Sequence, residues 1–222
     1  MFTVRPLPPQ IDPALLALLA KAEPATIGHF RHTGFVDPAI KALQKDVRIA
    51  GTAVTVQSAG PDSTIVHFAL GQIRPGDIMV IDRCGDHKHA ITGGAVIYAA
   101  KHAGVAGVVI DGMATDFQEL REFGVPVWCR GTTPVTGKML GLGGGFCIPV
   151  SCGGVAVNPG DAIVADENGV LVLPPADIER DANRAIAMQK EEKEVTFKRI
   201  EAGEKIGDIS GATKLILSKL AP

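Results

Sequence analysis

Aromatic residues make up only 5% of this 222-residue chain, too few to build a stacking platform for bases or sugar rings. Charge of neither sign is in excess. Twenty-two Lys and Arg against 24 Asp and Glu leave a net charge of -2, which argues against nucleic acid as a partner. No apolar run approaches the roughly 18 residues that a membrane helix needs, so no membrane partner is expected. The N-terminal MFTVRPLPPQ lacks the apolar centre of a secretory signal, and the expected location is cytoplasmic. Four cysteines (Cys84, Cys129, Cys147 and Cys152) form no CxxC pair, which excludes a zinc ribbon and predicts buried or half-buried free thiols. No GxSxG nucleophile elbow is present. The stretch GTTPVTGK is one residue too long for a phosphate loop, and Met139 stands where a Ser or Thr is needed.

What the chain does have is glycine, proline and a regular alternation of patterns. Asp12-Pro13 predicts a helix start, continued by Leu15, Leu18, Leu19 and Ala22 at helical spacing. Thr26 is expected to cap a short helix running to His32, and Asp37-Pro38 repeats the start signal, which places N-terminal helices over about 12–45. From Val47, IAGTAVTVQSA alternates and is β-branched, as a strand should be. A helix follows from Ser63 to Leu70. Then come a strand (Ile78 to Ile81), a helix (Gly94 to His102), a strand (Val105 to Ile110), a helix (Asp116 to Glu122) and a strand (Val125 to Cys129). That alternation predicts α/β architecture with parallel strands. Pro75-Gly76-Asp77 and Pro159-Gly160-Asp161 each precede an apolar strand, and Glu167-Asn168-Gly169 reads as a hairpin turn. A charged amphipathic helix spans about 177–202. No linker divides the chain, so one domain over 1–222 is expected.

Chemistry is concentrated between Gly93 and Asp116. A helix that opens on Gly93 and Gly94 presents the unpaired N–H groups of Gly94, Ala95 and Val96 to an anion. Asp116 ends the following strand and opens the next helix. It reads either as an N-cap or as a ligand for a hard divalent cation. Asp111 carries the same ambiguity. The loop DRCGDHKHA holds Asp86, His87 and His89, a second candidate metal site, and leads into the glycine helix start. Arg83, Lys88, His89 and Arg130 are the cationic candidates for holding a substrate carboxylate.

The segments IAGTAVTV, PGDIMVID, AAKHAGVAGVVIDG, TDFQELREFGVPVWCRGTTP and PVSCGGVAVNPGDAIVADENGVLVLP resemble one family. Its members are the class II 4-hydroxy-4-methyl-2-oxoglutarate / 4-carboxy-4-hydroxy-2-oxoadipate aldolases and the regulators of ribonuclease E activity A. The resemblance runs from about Ile49 to Pro174. It implies a layered β/β/α fold like the phosphohistidine swivelling domains, and a homotrimer or a pair of trimers with clefts between subunits. It implies a Mg2+ or Mn2+ cofactor and cleavage of a small 2-oxo or hydroxy carboxylic acid, of aldolase or decarboxylase type, through a metal-stabilised pyruvate-like enolate. Asp116 would be both metal ligand and catalytic residue. Gly94, Ala95, Val96, Thr115, Arg130 and Lys88 would line the substrate. The alternative implied is a non-catalytic, protein-binding regulator of the ribonuclease E inhibitor type. The chain departs from the aldolase motif of Asp, twenty residues, then Arg-Asp. The final Asp matches Asp116, but Thr115 stands for the arginine and Gly94 for the first Asp. Gly28-His29 replaces the family's N-terminal Ser-Asp pair.

Overall fold

A computed structural model describes residues 1–220. In chain order it comprises β1 (Phe2–Val4), α1 (Pro13–Leu19), α2 (Pro24–Ile27), β2 (Lys41–Ala42), β3 (Arg48–Gln57), α3 (Thr64–Leu70), β4 (Asp77–Asp82), β5 (Ala90–Thr92) and α4 (Gly94–His102). There follow β6 (Gly107–Asp111), β7 (Met113–Ala114), α5 (Phe117–Phe123), β8 (Val127–Cys129), β9 (Gly131–Thr132), β10 (Gly144–Phe146), β11 (Val150–Cys152), β12 (Val155–Val157), β13 (Ala162–Asp166) and β14 (Gly169–Leu173). The chain closes with α6 (Ile178–Glu191), a wider π-helical turn over Glu192–Thr196, α7 (Phe197–Glu201), α8 (Ile206–Ile209) and α9 (Ala212–Leu217).

The centre is a parallel sheet in the order β3-β4-β6-β8. Side chains alternate across a strand, and here the alternation sorts them into two cores. Met79 and Ile81 of β4, with Val108 and Ile110 of β6, pack under Ile65, Ile97 and Leu120 of α3, α4 and α5. Ile78, Val80 and Val109 face the other way, onto Ile163, Ala165, Val170 and Val172 of the β13–β14 hairpin. The hairpin's opposite face, through Ala162, Val164, Leu171 and Leu173, meets Leu19 of α1, Ile27 of α2 and Ile178 and Ala182 of α6. The predicted α/β class is observed, as helices, parallel sheet, antiparallel hairpin and helices again. Among the described residues no helix is long and apolar enough to cross a membrane.

The repeated Pro-Gly-Asp turns bracket one strand. Thr52 of β3 pairs with Asp77 on one side and with Ala162 on the other. Gly76 and Gly160 both have strongly positive φ (83° and 94°), which a side chain would oppose. The hairpin turn at Glu167-Asn168 joins Asp166 to Gly169 as expected.

Two N-terminal expectations fail. α2 stops at Ile27 rather than running to His32, and Thr26 lies inside it rather than capping it. The Asp37-Pro38 signal starts no helix. The Asp37 carboxylate accepts the Ala39 N–H (2.9 Å) in an Asx turn and also meets Arg130 (3.0 Å). The chain beyond goes into β2 on the edge of the sheet, against β8. Local turn chemistry and a long-range ion pair outweigh the helix signal.

Candidate functional site

β5 and β7 lie side by side in parallel, with Ala90 opposite Met113 and Thr92 opposite Ala114. The Thr115 N–H extends the pairing to the Thr92 carbonyl (2.9 Å). Each strand feeds a helix, β5 into α4 through Gly93 and β7 into α5 through Thr115 and Asp116. The two helix starts are therefore neighbours, although far apart in sequence.

Asp116 adopts φ 56°, ψ 45°, a left-handed conformation that Asp tolerates better than most residues. It does not cap its own helix, which corrects the N-cap reading. Its Oδ2 instead accepts the Gly94 N–H at 2.8 Å, so it caps the neighbouring helix. The Thr115 hydroxyl stands 3.3 Å from Asp116 Oδ1. Asp116 is exposed rather than packed away.

The glycine pair has a steric origin. A Cβ on Gly93 would overlap Asp116 Oδ2 and sit 2.8 Å from Thr115 Cγ2, and a Cβ on Gly94 would overlap the Glu119 carboxylate. Backbone bareness here makes room for two acids. Glu119 escaped the sequence reading. The available signal was its position three residues after Asp116 on α5, a spacing that stacks side chains on one helix end.

A cleft of 160 Å³ opens at this point, lined by Thr115, Asp116, the first turn of α4, the segment around Thr136 to Met139, and Ser63 and His67 from α3. The first bond inside α4 runs from the Ile97 N–H to the Gly93 carbonyl (3.0 Å). Gly94 gives its N–H to Asp116, which leaves those of Ala95 and Val96 for a ligand. Gly94 itself is thus a site of close approach, not a free donor. Thr92, also on the cleft lining, is 1% exposed, and its hydroxyl has no partner among the described residues.

The proposed cationic contacts lie elsewhere. Arg130 is clasped by Asp111 (2.5 Å) and Asp37 (3.0 Å) and does not line the cleft. Lys88 is exposed on the preceding loop, also outside the lining. Arg83 is fully buried, donating to the Ser58 carbonyl (2.7 Å), the Gly60 carbonyl and Asp86 (3.2 Å). The imagined Asp86–His87–His89 metal site does not assemble. His89 Nδ1 meets Asp86 at 2.8 Å, but His87 leans to Asp111 at 3.9 Å. Asp86 is already saturated by Arg83, His89 and the Lys88 N–H. Burial alone would raise the Asp86 pKa, but these donors hold it below the usual carboxylate value. Among the described residues no group of three or more His, Cys, Asp or Glu is placed to share a metal. His29 lies in a separate cleft with Glu191 and Glu192. Of the free thiols, Cys129, Cys147 and Cys152 are buried and Cys84 is exposed. Burial raises the pKa of all four thiols, Cys147 to about 11. None is an activated nucleophile.

The family model described as RraA-like (Aldolase/RraA) matches residues 22–172. The chain belongs to the RraA-like family. A Halalkalibacterium halodurans protein named "Putative 4-hydroxy-4-methyl-2-oxoglutarate aldolase" is 40% identical over 154 residues, 69% of this chain and 73% of that protein. The 4-hydroxy-4-methyl-2-oxoglutarate aldolase of Thermus thermophilus is 33% identical over 134 residues, 60% of this chain and 80% of that one. Among solved structures, Streptomyces coelicolor RraAS2, described as an unusual member of the RNase ES inhibitor RraA family, superposes with a TM-score of 0.75. It is 29% identical, and the match covers 89% of this chain and 100% of that one. Sequence resemblance and fold thus agree on this RraA-like chain.

Proposed function

We propose that this chain is a divalent-metal-dependent lyase that cleaves a small 2-oxo acid and releases pyruvate, by aldol cleavage or decarboxylation. The single observation that carries the reading is the convergence of the Asp116 and Glu119 carboxylates on the opening turn of α4. Two carboxylates beside open solvent suit Mg2+ or Mn2+. Such ions take few protein ligands and keep waters and substrate oxygens for the rest. Asp116 and Glu119 would hold the ion. When bound, it supplies Lewis acidity at the 2-oxo group.

The chain's own groups do the positioning. The Ala95 and Val96 N–H groups and the positive end of α4 receive the substrate's 1-carboxylate. The Thr115 hydroxyl, beside Asp116, is placed to donate to an oxygen of the same acid. Ile91, Val96 and Met139 give the lining apolar surface that lowers the local dielectric and strengthens these contacts. In aldol cleavage the 4-hydroxyl gives up its proton to solvent, C4 becomes a carbonyl and the C3–C4 bond breaks. Its electron pair passes to the 2-oxo end, and C3 takes up a proton to give pyruvate. Assembly of the chain as a trimer or hexamer belongs to the same proposal.

The test is pyruvate release from a panel of 4-hydroxy-2-oxo acids and oxaloacetate, with Mg2+ or Mn2+ and then with a chelator. Metal-dependent release is expected. No release from a folded oligomer would overturn the lyase and favour a protein-binding regulator. That second reading is supported by the member of the RNase ES inhibitor RraA family among the structural neighbours, and inhibition of ribonuclease E by the purified chain would test it.

A further inference from the structure

We propose that residues 192–220 form an arm that docks on a second copy of this chain, across the mouth of that copy's Asp116 cleft. The contact stands apart from the lyase reading; only its effect on turnover rests on that reading.

The arm is folded, yet it joins none of its own chain's three cores. The π-helical turn and α7 continue α6, and α8 packs on α9. Arg199 pairs with Glu204 at 2.6 Å inside the arm, and Gly203 and Gly211 turn its backbone at φ 91° and 77°. No residue of 192–220 is buried. Phe197, Ile200, Ile206, Leu215, Ile216 and Leu217 all stand exposed. The last three are consecutive and therefore about 100° apart around α9, so they wrap more than half of it. An ordered helix with apolar side chains over most of its circumference is one that a partner buries. The family-matched segment, 22–172, ends before the arm begins.

The rest of the surface selects the occupant. Outside the arm, the exposed large apolar side chains of the described residues lie at Met1 and on β1, on α3 and α4, and on the loop 133–142. Phe68 and Leu140 adjoin His67 and Met139, which line the Asp116 cleft, and Leu142 follows on the same loop. These two apolar surfaces belong to opposite outer layers. α6, which carries the arm, packs on the outer face of the β13–β14 hairpin, whereas α3 and α4 cover the far side of the parallel sheet. One chain thus owns an arm and a rim with the sheet and the hairpin between them, and a second copy supplies the complement to each. The arm's apolar residues expose on the order of 800 Å2, about one partner's share of a stable interface. Because arm and rim differ, copies join head to tail and leave neither bare once the ring closes. The docked arm then shields the receiving cleft from water, which strengthens the ionic contacts made there.

The experiment uses the full-length chain as wild type and as two double variants, Leu215→Glu/Leu217→Glu on the arm and Leu140→Glu/Leu142→Glu on the rim. All four side chains are exposed, so each variant keeps its own core, and circular dichroism checks that it is folded. Sedimentation velocity over a dilution series gives the subunit Kd. Both variants should raise it about a hundredfold or more, the size expected when central apolar anchors are lost. An equimolar mixture of the two should form mixed pairs and nothing larger, because one intact arm meets one intact rim. Calorimetry with Mn2+ and oxalate, a mimic of the 2-oxo acid end, reads the cleft. The oxalate Kd should rise several-fold in both variants, and pyruvate release should fall as the assembly dissociates. A monomeric wild type, a rim variant as tightly assembled as the wild type, or an oxalate Kd unchanged on dissociation would overturn the assignment. So would an arm that binds only lipid vesicles or an unrelated protein. A wild type without turnover, whose assembly still depends on both surfaces, would remove the lyase and keep the docking.

Discussion

The Asp116 carboxylate and the Gly94 N–H, 22 residues apart, are joined at 2.8 Å across two helix starts. One acid therefore does two jobs. Its Oδ2 caps α4, and its remaining lone pairs face the cleft. Replacing Asp116 with Ala should remove metal-dependent turnover and weaken Mn2+ binding by an order of magnitude or more. The cost in stability should be only about 1 kcal/mol, the size of a lost cap. Pyruvate assays, Mn2+ titration and thermal melting on the same sample separate these effects. Full turnover in Asp116→Ala would refute the assignment.

Gly94 and Glu119 should behave as a coupled pair. Gly94→Ala drives a methyl group into the Glu119 carboxylate, so the acid must move and activity should fall. Shortening the acid in Gly94→Ala/Glu119→Ala removes the clash. The stability losses should then be non-additive by about 0.5–3 kcal/mol. A melting cycle that adds up linearly would show that the two residues do not touch.

Asp62 is a pH-sensitive anchor. It is 1% exposed and accepts the Thr64 N–H (2.9 Å) and hydroxyl (2.5 Å) at the start of α3. It also accepts the Leu140 (3.2 Å) and Leu142 (2.6 Å) N–H groups of a loop some 80 residues away. Burial alone would raise its pKa, but these donors overcome that and hold it well below the usual carboxylate range. A depressed carboxylate contributes stability above its unfolded pKa and loses it as pH falls through the folded value. The native protein should therefore lose stability progressively below about pH 4. Asp62→Asn should cost about 2–3 kcal/mol at neutral pH and flatten that acid limb. Denaturant melts at pH 7 and pH 3 decide it; parallel acid limbs in both proteins would contradict the assignment.

Arg130 should prove structural. Its partners Asp37 and Asp111 tie the end of β8 to the N-terminal segment, and Asp111 in turn accepts the Gly153 N–H (2.7 Å). Arg130→Ala should lower the melting temperature by several degrees, because two carboxylates lose their shared cation. The oxalate Kd should hardly change. A large loss of oxalate affinity with an unchanged melting temperature would place Arg130 back in the binding site.

Thr92 gives a test in the opposite direction. Its buried hydroxyl has no partner among the described residues, so Thr92→Val should leave stability unchanged or raise it slightly. A loss of more than about 1 kcal/mol in a melting experiment would mean that the hydroxyl is satisfied in solution.

Local order was legible from the amino acids alone. Periodicity located the strands β3, β4 and β6 and placed α4 at Gly94–His102, because side chains two or four residues apart decide which face is apolar. The same reading marked Asp116 and the first turn of α4. It misjudged Asp37, whose carboxylate turns to Ala39 and Arg130, and it could not rank the cations. Whether Arg83, Arg130, His89 or His67 is free depends on partners that folding brings from other strands and loops. Glu119 is the clearest case. Its carboxylate becomes meaningful only when two parallel strand ends set α5 beside α4, and a contact between separate elements leaves no periodic trace in the chain.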